Sequence, residues 1–123
     1  MAITFNTDRL LGLEGTTING VYGRIQSVTV KKYDATTDPS VAASFSLMYD
    51  VILHTTAVKR NADGEYPQWN NRLRSREIDH FTATVTTDQM NAADANSYTL
   101  AYADLKTKLA ADDPPKATSI SDS

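Results

Sequence analysis

The stretch Ser44–Thr55, SFSLMYDVILHT, decides how the chain is read. Phe45, Leu47, Tyr49, Val51 and Leu53 stand at every second position, so in an extended backbone they share one face. Ser44, Ser46, Asp50 and His54 fall on the other face, with Met48 and Ile52 as exceptions. A row of large apolar side chains at period two cannot be a solvent face, because burying each one removes a few kcal/mol of unfavourable hydration, about 1.5–3 per side chain. This stretch is therefore the central core strand.

Upstream, Thr17 to Tyr33 is a second long β segment with a break in its pattern. Val21 and Ile25 share one parity, Val28 and Val30 the other. A strand with one core face cannot switch parity without an extra residue, so a bulge or bend is predicted near Gln26–Ser27. Residues 6–16 (NTDRLLGLEGT) hold two glycines and read as loop. Ala2 to Phe5 reads as a short first strand or a free arm. Between the two long strands, DATTDPS (34–40) reads as a turn, with Pro39 unable to donate to a ladder.

Downstream, residues 58–70 (VKRNADGEYPQWN) form a predicted loop around Asp63–Gly64. Leu73 to Thr86 then reads as a third long strand. Phe81, Ala83 and Val85 share a face with Leu73, and Ile78 sits on the other. After it the period changes. Tyr98, Ala101, Tyr102, Leu105 and Leu109 form one stripe of an α-helix meant for the sheet. Asp94, Asn96 or Ser97 can cap its start. Lys106 and Lys108 sit near its end, where the helix dipole favours cations, and Pro114–Pro115 stop it. The last stretch, PKATSISDS, reads as a polar tail. The fold class is thus α+β, mainly β: an antiparallel sheet of three to four strands with one C-terminal helix packed on it. Residues 1–110 form a single domain with an N-terminal arm and closing helix, and residues 111–123 a polar tail.

A length of 123 residues suits one domain. The hydrophobic fraction of 41% is slightly low for a self-sufficient globule, which leaves room for ends that fold against partners. There are no cysteines, so disulfides, thiol catalysis and thiolate zinc sites are excluded. The net charge of -3 argues against a dedicated nucleic-acid binder. No apolar run approaches the roughly 20 residues that span a bilayer, and MAITFNTDRL lacks the pattern of a signal peptide.

Candidate chemistry is sparse. His54 shares a strand face with Asp50 but lies about 13 Å along it, too far for a shared proton or metal. Asp79 and His80 are adjacent and point to opposite faces. Both histidines read as ordinary strand residues. The glycine pairs Gly12/Gly15 and Gly20/Gly23 lack the spacing and the lysine of a phosphate loop, and there is no nucleophile elbow. No catalytic residue, metal site, cofactor or small-molecule substrate is expected. Arg72, Arg74 and Arg76 recur at period two and would make a basic stripe on a strand, either solvated or gripping an acidic partner; Lys31, Lys32, Lys59 and Arg60 could extend it. Tyr66 and Trp69 flank Pro67 in a loop, either as interface anchors or as a cover for the sheet edge. Ile3 and Phe5 of the arm and Ile120 of the tail complete the candidate partner-binding residues.

Three stretches carry a family resemblance. The opening MAITFNTDRLLGLEGTTINGVYGRIQSVTVKKYD, with its strand Val21-Tyr22-Gly23-Arg24-Ile25-Gln26-Ser27-Val28, resembles the start of small structural proteins encoded by tailed phages. FSLMYDVIL resembles their second long strand. SYTLAYADLK, containing Ala101-Tyr102-Ala103-Asp104-Leu105-Lys106, resembles their closing helix. The likeness covers most of residues 1–109. It departs in KRNADGEYPQWNNRLRSRE and after Leu109. It implies a β-rich virion component of the tail, baseplate or fibre region, or of the capsid surface, assembled in the host cytoplasm. Its partners would be other virion proteins and copies of itself, with no membrane and no direct nucleic-acid contact, and it implies no catalytic residues. A free module that binds a host protein is the rival from a different class.

Overall fold

The computed structural model describes residues 2–37, 40–54, 72–92 and 96–122. The strand that opened the reading is β5 (Ser44–His54), and it organises everything else. It is preceded by β1 (Ile3–Thr7), β2 (Ile18–Tyr33), β3 (Thr36–Thr37) and β4 (Ser40–Val41). It is followed by β6 (Arg72–Leu73), β7 (His80–Thr86), α1 (Thr87–Asn91), α2 (Ser97–Ala111) and β8 (Thr118–Asp122). The main sheet runs β6-β5-β2-β1-β8, and β7 pairs with the other half of β5, on the side away from β2. The short β3 and β4 pair with each other. All described pairings are antiparallel.

The apolar face of β5 is buried as its period demands: Leu47, Tyr49, Val51 and Leu53 are inaccessible and Phe45 packs at the margin. At the inner end of the strand the second face is buried as well, at Ile52, His54 and the facing Arg24 of β2. The predicted bulge is present. Ile25 faces Val51 and Ser27 faces Asp50, so Gln26 is the extra residue and the core parity of β2 switches there. Gly23 sits where β1, β2 and β5 meet. A Cβ at this position would lie 3.0 Å from the Phe5 ring, so the close seating of that ring needs a residue without one.

Helix α2 closes the core with Ala101, Tyr102, Leu105 and Leu109. Asn96 caps it, its side chain accepting from the Thr99 N–H. Tyr49 Oη donates to Asp104 Oδ2 at 2.6 Å, and Lys108 reaches both that carboxylate and the Thr82 carbonyl, which ties helix to sheet. Burial, and then the bond to Asp104, pushes the Tyr49 hydroxyl far above the usual phenol range. One residue of the predicted stripe departs: Tyr98, in the first turn, overhangs the sheet and is exposed rather than core.

Three expectations are corrected. Of the two readings of the N-terminal segment the strand holds and the arm does not: β1 lies between β2 and β8, and its alternate residues Ile3, Phe5 and Thr7 are buried. Residues 111–123 are not simply a polar tail. Ala117 is buried and β8 pairs along β1, with Ile3 opposite Asp122 and Thr4 opposite Ser121. Its pairing slips by one residue between Thr118 and Ser121, where Ser119 adopts the left-handed φ of 52°. Leu73–Thr86 is not one strand, because a turn at 76–78 separates β6 from β7. That turn buries Ile78, which an unbroken strand would have put on the opposite face from Leu73. Ser75 fixes it by donating to the Arg9 carbonyl at 2.7 Å, while Leu11 N–H donates to the Arg74 carbonyl at 2.8 Å. The sheet thus has more strands than three or four, because both chain ends join it and the third long strand divides.

Candidate functional site

The bulge at Gln26 divides the surface of the molecule as well as the strand. From Ile18 to Gly23, β2 is flanked by β1 on one side and then by β5 on the other. Beyond Gly23 no described strand pairs with the β1 side of β2. Two tyrosines of α2 take over at once. Tyr102 Oη accepts from the buried Ile25 N–H at 2.8 Å, and Tyr98 Oη donates to the Gln26 carbonyl at 3.3 Å. These side chains satisfy the backbone that the missing strand leaves open. Past them, Ser27–Tyr33 runs along β5 on one side, and no described strand lies along the other. Every residue there is exposed except the half-buried Val28, and Val30 and Tyr33 retain 43% and 48% of their surface.

Register assigns the faces of this outer half. Val28, Val30 and Lys32 stand opposite Tyr49, Leu47 and Phe45, so they lie on the helix side. Thr29 and Lys31 stand opposite Met48 and Ser46 on the open side, which β7 continues with Thr82 and Thr84. The open side is thus a three-stranded face of hydroxyls around Met48, itself 36% exposed.

At the inner end of that face lies a polar cluster. Asp50 Oδ1 bonds His80 Nδ1 at 2.8 Å across β5 and β7, and Ser27 Oγ donates to Asp50 Oδ2 at 3.1 Å. The His80 bond, and secondarily the Ser27 bond, holds the Asp50 carboxyl below its usual range. Arg74 and Asp79 border the same open cleft of about 290 Å³. A nucleophilic triad places the imidazole between hydroxyl and carboxylate. Here the carboxylate stands in the middle, so His80 cannot take the Ser27 proton. His54 lies four positions from Asp50 along β5, and no group of three or more potential metal ligands assembles among the described residues. No described helix is long and apolar enough to cross a membrane.

The residues singled out from sequence are scattered. Ile3 and Phe5 are core, so they are unavailable to a partner. Ile120 is half-buried in β8 against the core instead of riding on a loose end. Arg72 lies in the two-residue β6 opposite His54, Arg74 follows it, and Arg76 lies in the turn beside Arg9, Leu11 and Glu77. β6 ends at Leu73, so Arg74 and Arg76 lie beyond the strand that a period-two stripe requires. Tyr66, Trp69, Lys59, Arg60 and the Asp63–Gly64 turn lie outside the described residues. What sequence reasoning missed is the exposed edge itself and the Asp50–His80 pair, since both depend on register. The parity break at Gln26 was the one available signal. Comparison with protein-family models, with curated proteins and with solved structures finds no match for this chain.

Proposed function

We propose that this chain is a structural component of a tailed-phage virion that works by binding neighbouring subunits rather than by catalysis, with a place in the tail, baseplate or fibre region favoured over capsid decoration. One observation carries the interaction role: the outer half of β2 is solvent-exposed on one edge, with apolar Val30 and Tyr33 uncovered beside it. Unpaired strand edges are templates for pairing with another chain, and natural proteins rarely leave a long one open. The resemblance of the opening stretch, of FSLMYDVIL and of SYTLAYADLK to small phage structural proteins supplies the virion context. The partners are other virion proteins and copies of the chain. Weak single contacts suffice when repeated around a particle, because tethering raises the effective concentration of each further contact.

Contacts through the N-terminal segment are not part of this mechanism, since that segment is already paired within the molecule. Mass spectrometry of purified particles of the encoding phage tests the reading. The chain is expected among the structural proteins, and its absence from particles would sink the proposal. Copy number then separates the positions: a few dozen or fewer indicates the tail, and hundreds indicate the capsid.

A further inference from the structure

We infer that the edge of β2 from Ser27 to Tyr33, which no described strand covers, receives an extended segment from a different protein, and that this segment carries adjacent acidic residues opposite Lys31 and Lys32. The edge is bounded at one end by the Tyr98 and Tyr102 hydroxyls on Gln26 and Ile25, and beyond them the alternate N–H and C=O groups of β2 face outward. Seven residues span roughly 23 Å at about 3.3 Å each, the length of an ordinary strand. The incoming strand would cover Val30 on the helix side and Tyr33 near the end of the edge.

The lysines select the occupant. Lys31 and Lys32 are consecutive, so one projects from each face. Among the described residues Lys32 approaches the exposed Asp34, at 3.8 Å, and Lys31 lies over the Tyr33 ring at 5.3 Å. Two consecutive carboxylates on an added strand would meet one lysine on each face, the opposite-charge pairing that stabilises neighbouring strands. A second copy of this edge, paired antiparallel along 27–33, would set Thr29 and Val28 opposite Lys31 and Lys32 and offer neither a carboxylate, and edge lysines are a recurrent device against such self-pairing. The inference deepens the assembly reading by naming the surface and the partner's chemistry, and it rests on that reading for its biological setting alone. Loss of the chain from particles would leave the edge chemistry standing, and failure of the edge to bind would leave virion membership standing.

The probe is a synthetic peptide of alternating threonine and valine with a central Asp-Glu pair, titrated into the isotope-labelled full chain and followed by amide chemical shifts and hydrogen exchange. The result expected is shift changes concentrated in 27–33, with exchange there slowed at least tenfold. The double variant Lys31→Glu with Lys32→Glu should weaken binding at least tenfold, and its unchanged far-ultraviolet spectrum would show that the fold is kept. A control peptide with Lys-Lys at its centre should bind at least tenfold more weakly to the parent chain. Three outcomes would overturn the inference: no perturbation of 27–33 at millimolar peptide, equal binding of the acidic and basic peptides, or protection of 27–33 on concentrating the protein alone, which would make a second copy the occupant.

Discussion

The two halves of β2 share one backbone and one partner strand, yet they meet different surroundings. From Ile18 to Ile25 the strand pairs with β1 and β5 in turn, and Val21, Gly23, Arg24 and Ile25 are buried. From Ser27 to Tyr33 it keeps only β5 among the described strands, and all its residues but Val28 are exposed. The change falls at a single extra residue, Gln26, whose neighbours are held by two tyrosine hydroxyls. The comparison teaches that ladder hydrogen bonds alone do not make a strand interior. Side-chain burial supplies the stabilisation, and the half that lacks it stays at the surface.

The largest effect is expected on the buried side. Leu105→Ala, a fully buried helix residue packed in the core, should lose about 2–5 kcal/mol of unfolding free energy in a urea titration. A loss no greater than that of a surface substitution would break the comparison. Tyr102→Phe probes the boundary. It keeps the ring but removes the acceptor of the Ile25 N–H, so it should cost about 1–3 kcal/mol and speed hydrogen exchange at Ile25 in particular. A variant indistinguishable from the parent in both would show that the hydroxyl does not hold the bulge.

Acid titration addresses the outer face. Because the Asp50 carboxyl is lowered by His80 and Ser27, its charged form stabilises the fold. That contribution is present above the ordinary carboxylate value of about 3.9 and is lost as pH falls through the lower folded value. Asp50→Asn should therefore trail the parent at neutral pH and converge with it in acid. The gap should stay under about 1 kcal/mol, since both side chains are more than half exposed, and should shrink with added salt. A gap that widens toward acid would reverse the sign assigned here. The smallest effect belongs to Val30→Ser, expected to stay within about 0.5 kcal/mol of the parent by thermal unfolding. A loss of 2 kcal/mol or more would place that edge within the cooperative core.

Local patterns were legible wherever one face had to be dry. The period-two row of β5, the parity break at Gln26, and Leu105 and Leu109 of the helix all follow from burial on one side. Partner choice was not legible. TSISD of β8 is almost wholly exposed at the sheet margin, so no apolar alternation marks it as a strand. The Leu73–Thr86 stretch keeps Leu73 in parity with Phe81, Ala83 and Val85, which hides the turn between β6 and β7. Of the candidate site, Lys31 and Lys32 were visible only as an extension of the arginine series. Which edge of their strand lies open depends on β1 stopping opposite Gly23, a long-range fact that no local pattern encodes.

The pairing of β1 with β8 also has a topological consequence. Ile3 and Asp122 lie side by side on neighbouring strands, so two segments far apart in sequence meet at one margin of the sheet. Chain order and spatial order are then separable. A short polar linker could join β8 to β1, and an opening could be made in the 8–17 connection, where the chain already turns at Gly12 and Gly15, without removing any strand from its place. In such a permuted molecule the β1–β8 closure becomes a local hairpin and the β1–β2 pairing becomes the long-range one, so the two closures exchange roles.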